Sequence, residues 1–119
     1  MIGVSEGAFE KEQREFCETR ECECLPSSLH SKLGFATDTE GRLPINGLRH
    51  PLQGDMNGWY IWCGDELSSE PNFFSALHTR HLIEKFPEVV RFLGLPPGYR
   101  FLIADDYIDV WYDGSLLNV

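Results

Sequence analysis

The sequence has few positively charged side chains for its size. Ten Lys and Arg stand against 19 Asp and Glu in 119 residues, which gives a formal net charge of −9. Because nucleic-acid binding depends on basic side chains that neutralise phosphates, this balance argues against a nucleic-acid partner. An acidic surface favours a basic protein partner and speeds its approach, although the same charge also serves solubility alone.

Long apolar runs are missing as well. No run of about 18 apolar residues occurs, so we expect no membrane span. The first residues, MIGVSEGAFEKEQ, lack a charged-then-apolar leader, which predicts a cytoplasmic protein. The hydrophobic content of 42% suffices for a packed core without disulfides or a metal. The length predicts one domain over residues 1–119.

Signature motifs of common active sites are absent too. The sequence contains no phosphate-binding glycine loop and no calcium loop. Cys63 could act as a nucleophile with His78 or His81 as base, but no nucleophile signature surrounds it, and a buried hydrophobic role is favoured. His78 and His81 share a helical face, yet a third metal ligand is missing nearby. We therefore predict no catalytic residues, no metal, no cofactor and no enzymatic activity.

A cysteine cluster near the N-terminus is the strongest candidate for a metal site. Cys17, Cys22 and Cys24 precede His30, and thiolates with imidazole can form tetrahedral zinc sites. The spacing C-x4-C-x-C-x5-H lacks the C-x2-C pairs of common zinc modules. Reduced cysteines in a marginal helix are the simpler interpretation, and a zinc-binding or thiol-dependent protein remains the alternative.

Hydrophobic periodicity predicts an α+β fold, a small antiparallel sheet of three or more strands with helices on one face. A marginal helix over residues 5–24, capped by Ser5, precedes a long irregular stretch over residues 43–58. The other predicted elements are a strand at 33–37, a strand at 59–63, a helix at 76–86, a turn of helix from Pro87 to Gly94, and a hairpin of strands 99–104 and 107–112 around Asp105-Asp106.

The stretch NGWYIWCGDELS, residues 57–68, combines large aromatic side chains with two following acids. Alternation along a strand puts Trp59, Ile61 and Cys63 on one face, which we assign to the core. Tyr60 and Trp62 lie on the other face, and Trp and Tyr are common anchors of protein interfaces. This second face is therefore the candidate binding surface.

Residues 43–119 resemble the bacterial polymorphic-toxin immunity protein family thirty-three, formerly a domain of unknown function. The stretches that carry the resemblance are LPINGLRHP, NGWYIWCGDELS, FFSALHTRHL, PEVVRFLGLPPGYRFLIA and YIDVWYDGSLL, in this order. Residues 1–42 have no counterpart in it and are interpreted as an N-terminal helical extension. The resemblance implies a protein that binds and neutralises a cognate toxin, and it implies no catalytic residues.

The partner-binding surface that we predict comprises Arg49, His50, Tyr60, Trp62, Asp65 and Glu66. Acids at this surface would suit a basic toxin such as a nuclease, since they could mimic its phosphate substrate. A structural or interaction subunit of a cellular complex is a further alternative.

Metal analysis separates the binding protein from the zinc protein. We expect protein purified without chelators to carry no stoichiometric zinc, because the cysteine spacing does not match known ligand patterns. Stoichiometric zinc that is lost on Cys22→Ser would favour the zinc protein instead.

Overall fold

A computed structural model of the chain describes residues 6–118. These residues form two compact units: a helical unit of residues 6–31 and 78–96, and a sheet unit of residues 32–77 and 97–118. Within the described part of the chain, no helix has the length and apolar character needed to cross a membrane. The assignment of the whole chain to one domain stays a prediction.

Residues 6–118 contain two α-helices, six strands and three 3₁₀ segments. In chain order they are α1 (Glu6–Thr19), β1 (Lys32–Phe35), a 3₁₀ turn (Thr37–Thr39), β2 (Ile45–Arg49), β3 (Met56–Cys63), β4 (Ser75–His78), α2 (Thr79–Lys85), a 3₁₀ helix (Pro87–Phe92), β5 (Tyr99–Ala104), β6 (Tyr107–Tyr112) and a C-terminal 3₁₀ turn (Gly114–Leu117). The predicted α+β class is confirmed. The predicted cap of α1, Ser5, lies outside the described residues.

The sheet has six strands in the order β4-β1-β3-β2-β5-β6. β3 pairs antiparallel with β2 but parallel with β1. The sheet is therefore mixed, whereas the sequence pattern predicts an antiparallel one, because strand direction depends on how the chain returns to the sheet and not on side-chain alternation. The predicted hairpin around Asp105-Asp106 is confirmed, and Asp105 has the positive φ of 46° that tight hairpin turns require. The packing of helices on one face stays a prediction.

The stretch predicted to be irregular over residues 43–58 contains a central strand, so that prediction was wrong. β2 pairs with β3 on one side and with β5 on the other. Its Asn46-Gly47 pair is typical of turns, but Gly47 lies under the buried ring of Phe101, where a Cβ atom would overlap the ring carbons. Here close packing requires glycine, and pairing on both sides overrides its low strand propensity.

The helix predicted at residues 76–86 begins later, at Thr79. Residues Ser75–His78 form the short edge strand β4, so the chain enters the helix directly from the sheet. The 3₁₀ helix that follows starts with Pro87, in agreement with the predicted break.

β3 is covered on both of its faces. Trp59, Ile61 and Cys63 are at most 1% exposed, which confirms their predicted place in the core. The indole of Trp59 contacts the ring of Phe101, with ring centroids 5.4 Å apart. On the other face Trp62 is 3% exposed, in a cluster with Ala36, Leu48 and Leu116.

A buried hydrogen-bonded contact stabilises the helical unit in addition to apolar packing. α1 buries Phe9, Gln13 and Cys17, which share one helical face. The Gln13 amide donates from Nε2 to the carbonyl of Ser27 at 3.0 Å and accepts at Oε1 from the Ser27 N–H at 2.7 Å. Phe16 packs edge-on against Phe92 at 5.0 Å. The thin apolar stripe of α1 is thus supplemented by a fully satisfied buried amide.

Two glycine substitutions test this description. At Gly58 in β3, φ is +91° and a Cβ atom would overlap the carbonyl oxygen of His50, so Gly58→Ala should lower the free energy of unfolding by about 2 kcal/mol or more. At Gly7 in α1 a Cβ atom would meet open space, so Gly7→Ala should raise the free energy of unfolding by about 0.5–1 kcal/mol. Urea denaturation measures both; equal effects of the two variants would contradict the β3 geometry.

Candidate functional site

The candidate site is an open apolar groove in the sheet unit, with a volume of about 390 Å³. Its apolar lining comes from β2, β3 and the segments that flank them, and its polar groups are His50 and Gln53. The apolar side chains that line it are those of Leu48, Pro51, Met56, Tyr60, Leu67 and Phe74. An apolar groove with few polar groups is the usual form of a binding site.

A chain of aromatic contacts gives the groove a rigid wall. The ring of Tyr60 lies edge-on to His50 at 5.5 Å and to Phe74 at 5.2 Å, and Phe74 contacts Phe73 at 4.8 Å. Tyr60 is held flat against the backbone of β1, because a Cβ atom at Gly34 would lie 2.6 Å from its Cδ1. Such edge-on pairs add stability beyond their buried area.

His50 is held in the groove by the C-terminal turn. Its Nδ1 lies 2.9 Å from the carbonyl oxygen of Leu116. That turn is capped by Asp113, whose carboxylate accepts hydrogen bonds from the Ser115 hydroxyl at 2.6 Å and backbone N–H at 3.1 Å. These two bonds, with a smaller contribution from Arg100, lower the pKa of Asp113 below its ordinary value. The histidine ring is therefore fixed by the fold.

Acids flank the groove on the loop that follows β3. Asp65, Glu66 and Glu70 lie on it, and residues 64–79 contain no Lys or Arg. Asp65 and Glu66 are exposed, and the side chain of Leu67 beside them is 49% exposed while it lines the groove. An exposed leucine thus lies on an acidic segment of the chain.

The structure brings together part of the predicted surface. His50 and Tyr60 line the groove and are half-buried, and Asp65 and Glu66 lie on the loop that supplies Leu67. Trp62 is on the same face as Tyr60 but is almost fully buried, beside Phe74 at 6.2 Å. It supports the groove from beneath instead of presenting a free surface.

Arg49 lies on the opposite face of the sheet and is fully buried. Its Nε donates to the carbonyl oxygen of Asn57 at 2.9 Å, and its guanidinium lies 5.6 Å from the ring centre of Trp59. The register pairs Arg49 with Trp59, which places both on the core face. A partner that docks on the folded chain would not touch this side chain.

Sequence reasoning missed the groove residues Leu48, Met56, Leu67 and Phe74. Leu48 was predicted to lie in a loop because its neighbour is a glycine. Met56 was also predicted to lie outside a strand, because the predicted strand began at residue 59, three residues later than β3. The signal for Leu67 was present: an apolar residue within an acidic segment. For Phe74, the contact with Tyr60 depends on the return of the loop and has no local signature.

Two of the four cysteines are buried. Cys63 and Cys17 are each 1% exposed, Cys22 and Cys24 are half-buried, and none of the four forms a disulfide. Burial, with hydrogen bonding to Cys24 and Cys22, raises the pKa of Cys17, which favours the neutral thiol over the nucleophilic thiolate. Across residues 6–118, no group of three or more His, Cys, Asp or Glu is arranged to hold a metal ion.

The different positions of two arginines provide a test. Arg49→Ala should lower the free energy of unfolding by roughly 3 kcal/mol, because it removes a charge-assisted hydrogen bond and leaves a cavity beside Trp59. Arg42→Ala, at an exposed position of the same unit, should change it by less than about 0.5 kcal/mol. Urea denaturation distinguishes them, and a neutral Arg49→Ala variant would show that this side chain does not support the core.

Comparison with known proteins gives one assignment. No curated protein and no solved structure matches the chain. The model of the Imm33-like domain matches residues 12–113. The match includes most of α1 and the three N-terminal cysteines, so the prediction that residues 1–42 lack a counterpart was wrong for residues 12–42. The chain belongs to the Imm33-like domain family.

Proposed function

We propose that this chain is an immunity protein that binds and neutralises a cognate toxin through the groove and its acidic loop. The observation that carries the proposal is the half-exposed Leu67, which lines an apolar groove next to Asp65 and Glu66. Membership of the Imm33-like family supports a protein partner. The role requires no catalytic group, and we place it in the cytoplasm.

The groove suits one anchoring side chain of a protein partner. A standard interface buries about 800 Å² on each partner, far more than a groove of this size offers, so the rim must contribute. Binding energy concentrates in a few residues that fill well-packed depressions. The aromatic wall of Tyr60 and Phe74 forms such a depression, and the half-exposed Leu67 extends its apolar rim.

Charge indicates the nature of the partner. The protein carries a net charge of −9, and the loop acids Asp65, Glu66 and Glu70 have no basic neighbour in the sequence. Such a surface steers a basic partner and disfavours an acidic one. A basic toxin such as a nuclease fits this requirement, with the loop carboxylates in place of phosphates.

The proposed contact surface differs from the surface predicted from the sequence. His50, Tyr60, Asp65 and Glu66 remain in it, with Leu67 added as an anchor. Trp62 and Arg49 act through the fold: Trp62 supports the aromatic wall, and Arg49 stabilises the other face of the sheet.

Co-expression with the product of the adjacent gene tests the proposal. Wild-type protein should restore growth and form an isolable complex with that product. Leu67→Lys should abolish rescue and weaken the complex at least about tenfold, because it places a charge in the apolar groove. Glu66→Lys should weaken it less and mainly slow association.

Leu43→Lys is the matched control, since Leu43 is 52% exposed in the same unit but does not line the groove. It should rescue growth like wild type. If Leu43→Lys and Leu67→Lys behave alike, the groove is not the contact surface. If wild-type protein neither rescues growth nor forms a complex, the immunity role itself is wrong.

A further inference from the structure

The imidazole of His50 is held in place through its backbone and through its ring. The backbone N–H donates to the carbonyl oxygen of Gly58 at 2.8 Å, and Nδ1 of the ring lies 2.9 Å from the carbonyl oxygen of Leu116. The ring also packs edge-on against Tyr60, with the two centroids 5.5 Å apart. It is half-buried and lines the groove. The ring nitrogens of His50 therefore have fixed positions relative to the groove.

The contact with Leu116 determines which ring nitrogen carries the proton. A carbonyl oxygen can only accept a hydrogen bond, so Nδ1 of His50 must be the donor. In the neutral ring the proton is then on Nδ1, and Nε2 has a lone pair that can only accept. Within residues 6–118, Nε2 has no hydrogen-bond partner. His50 thus contributes one unused acceptor to the groove.

The side chains around this acceptor are mostly apolar. Leu48, Met56 and Phe74 line the same groove, while the polar Gln53 is exposed to solvent. A fully apolar occupant would displace water from Nε2 of His50 and give no hydrogen bond in return, which costs binding free energy. An occupant with a donor at its end replaces that hydrogen bond. The groove therefore favours an apolar side chain that carries one donor.

The shape of the groove favours an aromatic occupant. A volume of about 390 Å³ admits an aromatic side chain. The half-buried rings of Tyr60 and Phe74, with centroids 5.2 Å apart, form a wall against which a further ring can pack edge-on. Tyrosine and tryptophan combine an aromatic body with one N–H or O–H donor, and both are enriched among the anchoring residues of protein interfaces.

Charge indicates what surrounds this aromatic side chain in the partner. Asp65 and Glu66 are exposed and directly precede Leu67, whose side chain lines the groove. The whole chain has a net charge of −9. A basic segment around the aromatic residue is complementary to this surface, and a second copy of the same acidic chain is not.

We propose that the groove takes a tyrosine or tryptophan side chain from a basic segment of the toxin, with its O–H or N–H donated to Nε2 of His50. This inference rests on the proposed function, because it names the side chain that the toxin places in the groove. His50 determines the specificity for a donor, and the aromatic wall of Tyr60 and Phe74 supplies the contact area.

The test uses the full chain and two small cations, tyramine and phenethylamine, which differ only in the phenol O–H. NMR titration followed at Tyr60 and Phe74 should show that tyramine binds about three- to tenfold more tightly. Long-range ¹H–¹⁵N spectra of the His50 ring at about pH 8 should show the proton on Nδ1 in the free protein. Addition of tyramine should shift the Nε2 resonance.

His50→Asn removes the acceptor and keeps the contact with the C-terminal turn. The Asn amide nitrogen takes the place of Nδ1 and can still donate to the carbonyl oxygen of Leu116, but no atom replaces Nε2. This variant should bind tyramine only as tightly as phenethylamine. His30→Asn is the matched control, since His30 is exposed and does not line the groove, and it should retain the preference for tyramine.

The inference is overturned if neither probe binds at the groove, if wild-type protein binds both equally, if the proton is on Nε2, or if the preference survives His50→Asn. The wild-type titration and spectra require no variant, so they decide the matter even if His50→Asn does not fold. These measurements are made without the toxin. Failure of growth rescue in co-expression contradicts the immunity role, whereas equal binding of the two probes contradicts the requirement for a donor.

Discussion

The burial of β3 on both faces is the constraint on which the sheet unit depends. One face places Trp59 at no measurable exposure against Phe101, and the other places Trp62 in a separate apolar cluster. A strand covered on both sides must have strands on both edges, because buried N–H and C=O groups without partners are costly. β1 and β2 meet this need with opposite directions. The mixed sheet follows from this requirement.

The groove is a consequence of incomplete cover on the second face. Trp62 is enclosed, but two residues earlier Tyr60 is only half-buried, and the loop after β3 returns with Phe74 to contact it. Leu67, on the same loop, reaches the groove while half exposed. The proposed binding groove and the core therefore share one strand, and a variant that loosened the packing of Trp62 would be expected to deform the groove as well.

Charge is distributed so that it does not oppose folding. The acids of the loop after β3 and of the β5–β6 hairpin are mostly exposed, where their repulsion is screened by solvent. The fully buried cation, Arg49, donates to a backbone carbonyl and stacks near an indole, which compensates part of the cost of burial. In the helical unit, the buried amide of Gln13 is satisfied by the backbone of Ser27. These buried polar groups therefore form hydrogen bonds to the backbone, whereas most of the acids are exposed to solvent.

The sequence by itself determined the α+β class, the β5–β6 hairpin, the core face of Trp59, Ile61 and Cys63, and the family, because each depends on local periodicity, turn chemistry or ordered motifs. The tertiary structure decided the rest. It made Asn46-Gly47 part of a strand, because Phe101 needs the space above Gly47. It buried Arg49 and Trp62, since strand alternation gives the face of a side chain but not what covers that face. It also placed Leu67 and Phe74 beside Tyr60, a contact set by loop closure across the sheet that no local pattern encodes.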